Sequence, residues 1–148
     1  MNLFSIVLIV ALVLLVLYGI IIYNRLVNLK HNAGMSWSNI DVLLKQRHDE
    51  LPKLVETCKQ YMRYEKDTLE AVMRARQGVA DARQHGDVPA LGVAESQLRL
   101  GLGQLFAVAE AYPELRANDN FRHLESRITG LENAIADRRE FYNDSVNL

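Results

Sequence analysis

Between Leu3 and Tyr23 the chain reads LFSIVLIVALVLLVLYGIIIY, with no charged side chain and no polar face at any helical period. Those 21 residues reach about 31 Å as a helix at ~1.5 Å per residue, which matches the ~30 Å hydrocarbon core of a bilayer. In hydrocarbon a backbone must satisfy its own hydrogen bonds, so a lone segment of this kind can only be a helix. Ser5 can bond back to that backbone, and Gly19 is tolerated in membrane helices. Tyr18 and Tyr23 stand near the C-terminal edge, where amphipathic rings favour the interface, and Asn24 and Arg25 end the run. A cleaved signal peptide would have a basic start, a shorter apolar stretch and an Ala-x-Ala-like site. A lipoprotein would need a cysteine just after the run, and a core helix would be polar on one side. The segment fits none of these, so residues 1–24 are predicted to be a transmembrane anchor with Tyr18, Tyr23 and Arg25 at its edge.

Everything that follows has the composition of a water-soluble domain. All 17 Lys/Arg and 18 Asp/Glu lie from Arg25 onward, well mixed, with a net charge of -1. Nucleic acid is therefore excluded as a partner, because no basic face is available to neutralise phosphates. A single cysteine, Cys58, excludes an intrachain disulfide and a cysteine-based zinc site. Arg25, Lys30 and His31 follow the anchor while only the α-amine precedes it. The positive-inside rule then puts the C-terminal domain in the cytoplasm.

From Leu26 the apolar residues step by three or four: Leu29, Ala33, Trp37, Ile40, Leu44, then Leu51, Val55, Cys58, Met62, Leu69 and Val72. Such a seam belongs to an amphipathic helix packed on neighbours. Because it starts so close to the membrane edge, anchor and first bundle helix are expected to be one rod. Pro52 lacks an N–H and crowds the carbonyl four residues back. This predicts a turn at His48-Asp49-Glu50 with Asp49 as N-cap, the unbroken seam leaving a kink as the alternative. A second helix is then expected from Leu51 to Arg83, with Gly86 as C-cap glycine. Asp87 caps a third helix, Val88 to about Tyr112, with Pro89 in its first turn. Gly92, Gly101 and Gly103 in that helix are read as sites of close helix approach, with a hinge or docking groove as the other reading. After a turn at Tyr112–Asn120, with Asn118 or Asp119 as cap, the final helix carries Phe121, Leu124, Ile128, Leu131, Ile135 and Phe141. The fold class expected is all-α: an N-terminal transmembrane helix continuing into an antiparallel, coiled-coil-like four-helix bundle over residues 25–148.

Chemistry-bearing patterns are thin. Asp119 and His123 lie one turn apart, and Glu110 and Glu114 could join them, but capping and a surface histidine explain all four without a metal. Gly101-Leu102-Gly103 falls inside a helix and cannot cradle phosphate. Cys58 sits on the seam as a small apolar residue. No catalytic residue, metal, cofactor or small-molecule substrate is predicted. Two places stand out as interaction candidates. Trp37 lies on the seam near the membrane, as core or as an oligomer contact. Glu110, Tyr112, Pro113 and Glu114 combine carboxylates, an aromatic ring and a rigid turn at a bundle end, either as a binding tip or as a staple for the turn.

Several stretches together carry a family resemblance. They are Tyr23–Val27, Trp37–Lys45 (WSNIDVLLK), Asp49–Thr57 (DELPKLVET), Ala109–Asn118 (AEAYPELRAN), Phe121 and the closing Tyr142-Asn143-Asp144. In this order, over nearly the whole chain, they resemble the LemA family. The resemblance implies a bacterial, membrane-anchored four-helix domain with no catalytic residues to carry over. It also implies relatives that help form a membrane organelle or accompany membrane proteases. His48 and Cys58 depart from the aromatic and β-branched residues expected there, and the tail after Tyr142-Asn143-Asp144 is shorter than usual, as in a naturally short or a trimmed chain. The function expected is a self-associating scaffold at the bacterial inner membrane that organises membrane or membrane proteins. The alternative is an adaptor or regulator of a membrane protease.

Overall fold

The computed structural model describes residues 2–146, with the side chains at 33, 36 and 141–146 outside the described set. The side chains of Ala33 and Phe141, which the spacing puts on the seams, and those of the segment after Phe141 lie outside the described set. Among the described residues every regular element is helical: α1 (Leu3–Lys59), α2 (Lys66–His85), α3 (Val88–Ala109), α4 (Pro113–Ala117) and α5 (Asp119–Val146). The chain divides into two compact units, residues 1–40 with 138–148, and residues 41–137.

In the first unit, the apolar run opens α1. Its large apolar side chains are all exposed, from 41% at Ile6 to 81% at Leu3. The segment's mean hydropathy of 3.2 makes it long and apolar enough to cross a membrane. Tyr18 and Tyr23 are exposed with it, at 65% and 68%. Trp37 is half-buried.

The second unit holds the core. Leu44, Leu51, Leu54, Val55 and Cys58 from α1 are buried. Leu69, Val72 and Val79 from α2 join them, with Leu91, Leu98, Leu102 and Leu105 from α3 and Phe121, Ile128 and Ile135 from α5. Within each set most steps are three, four or seven residues, the spacings that put one helix face inward. Burying each such side chain is worth about 1.5–3 kcal/mol. α2 and α3 pack on each other, and Gly101 lies at that contact: a Cβ there would meet Val72 Cγ2 at 3.5 Å, an ordinary contact distance. Gly103 faces open space among the described residues, with nothing within 4 Å of a built Cβ, so Gly101 stands at a helix contact and Gly103 does not.

The turn expected at Pro52 does not exist. Pro52 lies inside α1, Asp49 is mid-helix rather than a cap, and the break comes at residues 60–65. Interior proline costs a helix about 3 kcal/mol, partly through an unpaired carbonyl four residues back. That carbonyl is His48 O, and Arg76 Nε of α2 donates to it at 2.9 Å. With the orphan acceptor satisfied and Leu51, Leu54 and Val55 each under 4% exposed, packing outweighs the proline. The real break holds no glycine or proline. Met62 is buried and its N–H bonds Cys58 O at 2.8 Å, closing the helix end.

Gly86 ends α2 in the left-handed region at φ 64, its N–H bonding the last carbonyls. The Asp87 side chain accepts from Ala90 N–H at 3.1 Å, capping α3 as expected. α3 stops at Ala109, and the following turn holds the short α4, pinned by the fully buried Leu115. Asn118, not Asp119, caps α5: its Oδ1 accepts from Phe121 N–H at 3.0 Å.

Candidate functional site

At one end of the second unit the 60–65 turn meets the α3–α4 turn. Tyr112 Oη donates to Glu65 Oε1 at 3.3 Å, and Asn118 Nδ2 donates to Tyr61 Oη at 3.0 Å. Burial and the neighbouring Glu65 carboxylate push the Tyr112 phenol above its ordinary value. These contacts make Tyr112 a staple between two turns. The two tyrosines, Tyr61 and Tyr112, line an open cavity of about 550 Å³ with Gln60, Arg63, Ala111, Pro113 and Glu114. The structure thus brings Tyr112, Pro113 and Glu114 together. Glu110 is exposed beside them without lining the cavity, and Trp37 belongs to the other unit.

A wider open groove, about 790 Å³, runs along the end of α1 and the first half of α2. Val55, Met62, Leu69 and Met73 form its floor, and Glu56, Lys59, Arg63, Lys66, Glu70 and Arg74 its rim. Its charges are mixed, so it offers no single-sign field to a ligand.

The most unusual chemistry lies in the interior and was not anticipated. Arg47 of α1, 1% exposed, sends Nη1 to Glu95 Oε2 of α3 at 3.0 Å, and Nη2 to the other oxygen of the same carboxylate. Nη1 also donates to Glu132 Oε1 of α5 at 2.7 Å. Glu95 is 6% and Glu132 15% exposed, and Arg99 Nε stands 4.0 Å from the outer oxygen of Glu132. One turn along α1, Glu50 meets Lys53 at 3.3 Å and Arg127 of α5 at 3.6 Å. Burial works against the Arg47 charge, but the Glu95 and Glu132 carboxylates more than offset it and hold its pKa above the ordinary arginine value. Among the described residues no buried side-chain polar atom lacks a partner.

Such a signal exists in the sequence. Arg47 falls three residues after Leu44 and four before Leu51, Glu95 four after Leu91 and three before Leu98, and Glu132 four after Ile128 and three before Ile135. All three stand in seam register. A charge on a seam is either misplaced or paired, and here each finds its partner on another helix. This arrangement positions three helices against one another; it presents no reactive group to solvent. Cys58 is likewise closed off, fully buried with its thiol pushed up to about 12 by burial. Asp119, half of the Asp119–His123 pair, is held by Arg122 on its own helix.

Comparison with known proteins agrees with the pattern of residues. The LemA family model matches residues 36–148. A magnetosome protein, MamQ, of Magnetospirillum gryphiswaldense is 22% identical over 147 residues, covering 84% of this chain and 54% of that protein. Two magnetosome proteins of Paramagnetospirillum magneticum, MamQ 1 and MamQ 2, are each 23% identical over 148 residues with the same coverage. The chain spans about half the length of these curated relatives. With the family model covering most of its length, the chain belongs to the LemA family, and with its apolar N-terminal helix it is a membrane-associated protein.

Proposed function

We propose that this LemA-family chain is a non-catalytic scaffold that self-associates in the bacterial inner membrane and organises membrane or membrane proteins there. The observation that carries the reading is the Arg47–Glu95–Glu132 cluster inside a helical domain carried by a membrane-length apolar helix. Its chemistry is spent on fixing helices rather than on a substrate. The later part of α1 with α2, α3 and α5 forms an antiparallel four-helix bundle on the cytoplasmic side, the side favoured by Arg25, Lys30 and His31. Tethering copies to a plane raises their effective concentration, so contacts too weak for solution become decisive. That magnetosome proteins are among the relatives supports a role in membrane organisation. No cofactor or small-molecule substrate is required. Full-length chain in liposomes, treated with an amine-reactive crosslinker at increasing protein-to-lipid ratio, tests this. Dimers and higher species at dilute ratios support it; a monomer at every ratio refutes it.

A second reading has its own observation, the cavity around Tyr112, Pro113 and Glu114. There the chain serves as an adaptor for another membrane protein, such as a protease, captured through that end. Co-purification from native membranes should be lost in Tyr112→Ala with Glu114→Lys while the thermal transition persists. Undiminished co-purification removes that surface.

A further inference from the structure

Two ionisable side chains occur in all of α3, where α2 has eight in a helix of similar length. One is Glu95, buried on Arg47; the other is Arg99, at the α5 side beside Glu132. The outward face of α3 therefore bears no charge. Along it Val93, Gln97, Leu100, Gly103, Gln104 and Ala107 are all exposed, Val93 at 61% and Leu100 at 68%. The main positions alternate by four and three, the seam spacing of a helix that packs on another helix. Gly103 gives up about 1 kcal/mol of helix propensity relative to Ala, and among the described residues no atom lies close enough to need that space. The face has the pattern and the room of an interface, without an occupant among the described residues.

We propose that α3 meets α3 of a second copy of this chain, like residue against like residue, along Val93–Ala107. The inference rests on the self-association proposed above and assigns it a surface. Charge identifies the occupant. Two copies inserted in a membrane in the same sense and related by a twofold share an axis along the membrane normal. Rotation about that axis keeps every atom at its own depth, so near the axis each residue faces its counterpart. Any charge would face a like charge; glutamine, both donor and acceptor, can pair with itself. A different partner would impose no such ban on charge. Size agrees with a tethered contact. A 22-residue helix is about 33 Å long, and a stripe ~10 Å wide along it covers roughly 330 Å². This falls short of the ~800 Å² per partner of a stable soluble interface, so the contact needs two copies in one membrane.

The test is single-cysteine crosslinking of the full chain in liposomes, by oxidation and by a short bismaleimide. Native Cys58, fully buried, gives a silent background. Gln97→Cys and Gln104→Cys should give dimer bands at least tenfold stronger than Gln77→Cys on α2 and Arg122→Cys on α5, both exposed positions. Adding Leu100→Lys to Gln104→Cys should cut the dimer at least tenfold with the thermal transition retained, since Leu100 is exposed. If the α2 or α5 positions crosslink and the α3 positions do not, copies meet through another face: the inference falls and self-association stands. If no position crosslinks, both fall. A dimer at Gln104→Cys unaffected by Leu100→Lys also overturns the inference.

Discussion

Replacing Arg47 by Met keeps an unbranched stem but removes the guanidinium, and with it the charge and its five donors. Glu95 and Glu132 then lose the group that neutralises them, at 6% and 15% exposure. Breaking a buried pair from one side costs about 3–5 kcal/mol, because an uncompensated charge is left in low dielectric. Native domains are stable by only about 5–15 kcal/mol. At about 4–8 °C per kcal/mol for a domain near 100 residues, Tm should fall by roughly 12–40 °C. The triple change Arg47→Met, Glu95→Leu, Glu132→Leu removes all three charges of the cluster and should regain at least half of the loss, since apolar replacements of buried ion networks are often neutral or better. The assay is thermal unfolding of full-length protein in detergent at pH 7, followed by circular dichroism. An Arg47→Met variant within about 1 kcal/mol of wild type at pH 7 would show that the cluster does not hold α1, α3 and α5 in place.

Three further outcomes follow from named contacts. Arg76→Met should cost about 1–3 kcal/mol in urea unfolding, the penalty of leaving the His48 carbonyl without a donor beside Pro52; Pro52→Ala should relieve most of it. Gly86→Ala should destabilise by about 1 kcal/mol because its φ is 64, whereas Gly101→Ala should be neutral or slightly stabilising, its Cβ meeting Val72 at ordinary contact distance. The Arg83 hydrogen bond holds the Asp41 carboxyl below its ordinary value. Its stabilisation is therefore complete above the carboxylate range and lost as pH falls through and below it. Asp41→Asn should lower Tm at pH 7, and the difference should vanish near pH 2.

How legible each feature was in the sequence follows from where its cause lies. Gly86-Asp87 and Asn118 act on their immediate neighbours, so both helix boundaries could be read from local chemistry. The membrane-length run is likewise self-contained, since its length and uniform polarity suffice. Pro52 misled because its penalty is offset by Arg76, 24 positions away and invisible to any local rule. The 60–65 turn was missed for the converse reason. It carries no breaker residue and is held by burial of Met62 and by the Tyr61–Asn118 and Glu65–Tyr112 contacts with a distant turn. Residues 112–114 could be singled out because proline and an aromatic at a turn are local signs. The charged cluster could have been found by asking why three charges stand in seam register, a question about partners that only the assembled helices answer.

Self-association in the membrane is the claim on which the functional account depends, and counting copies tests it most directly. Full-length chain with a single C-terminal fluorophore, reconstituted at low density in liposomes, should photobleach in two or more steps in most particles, at densities where an unrelated single-pass control gives one step. One-step bleaching indistinguishable from that control would contradict the account.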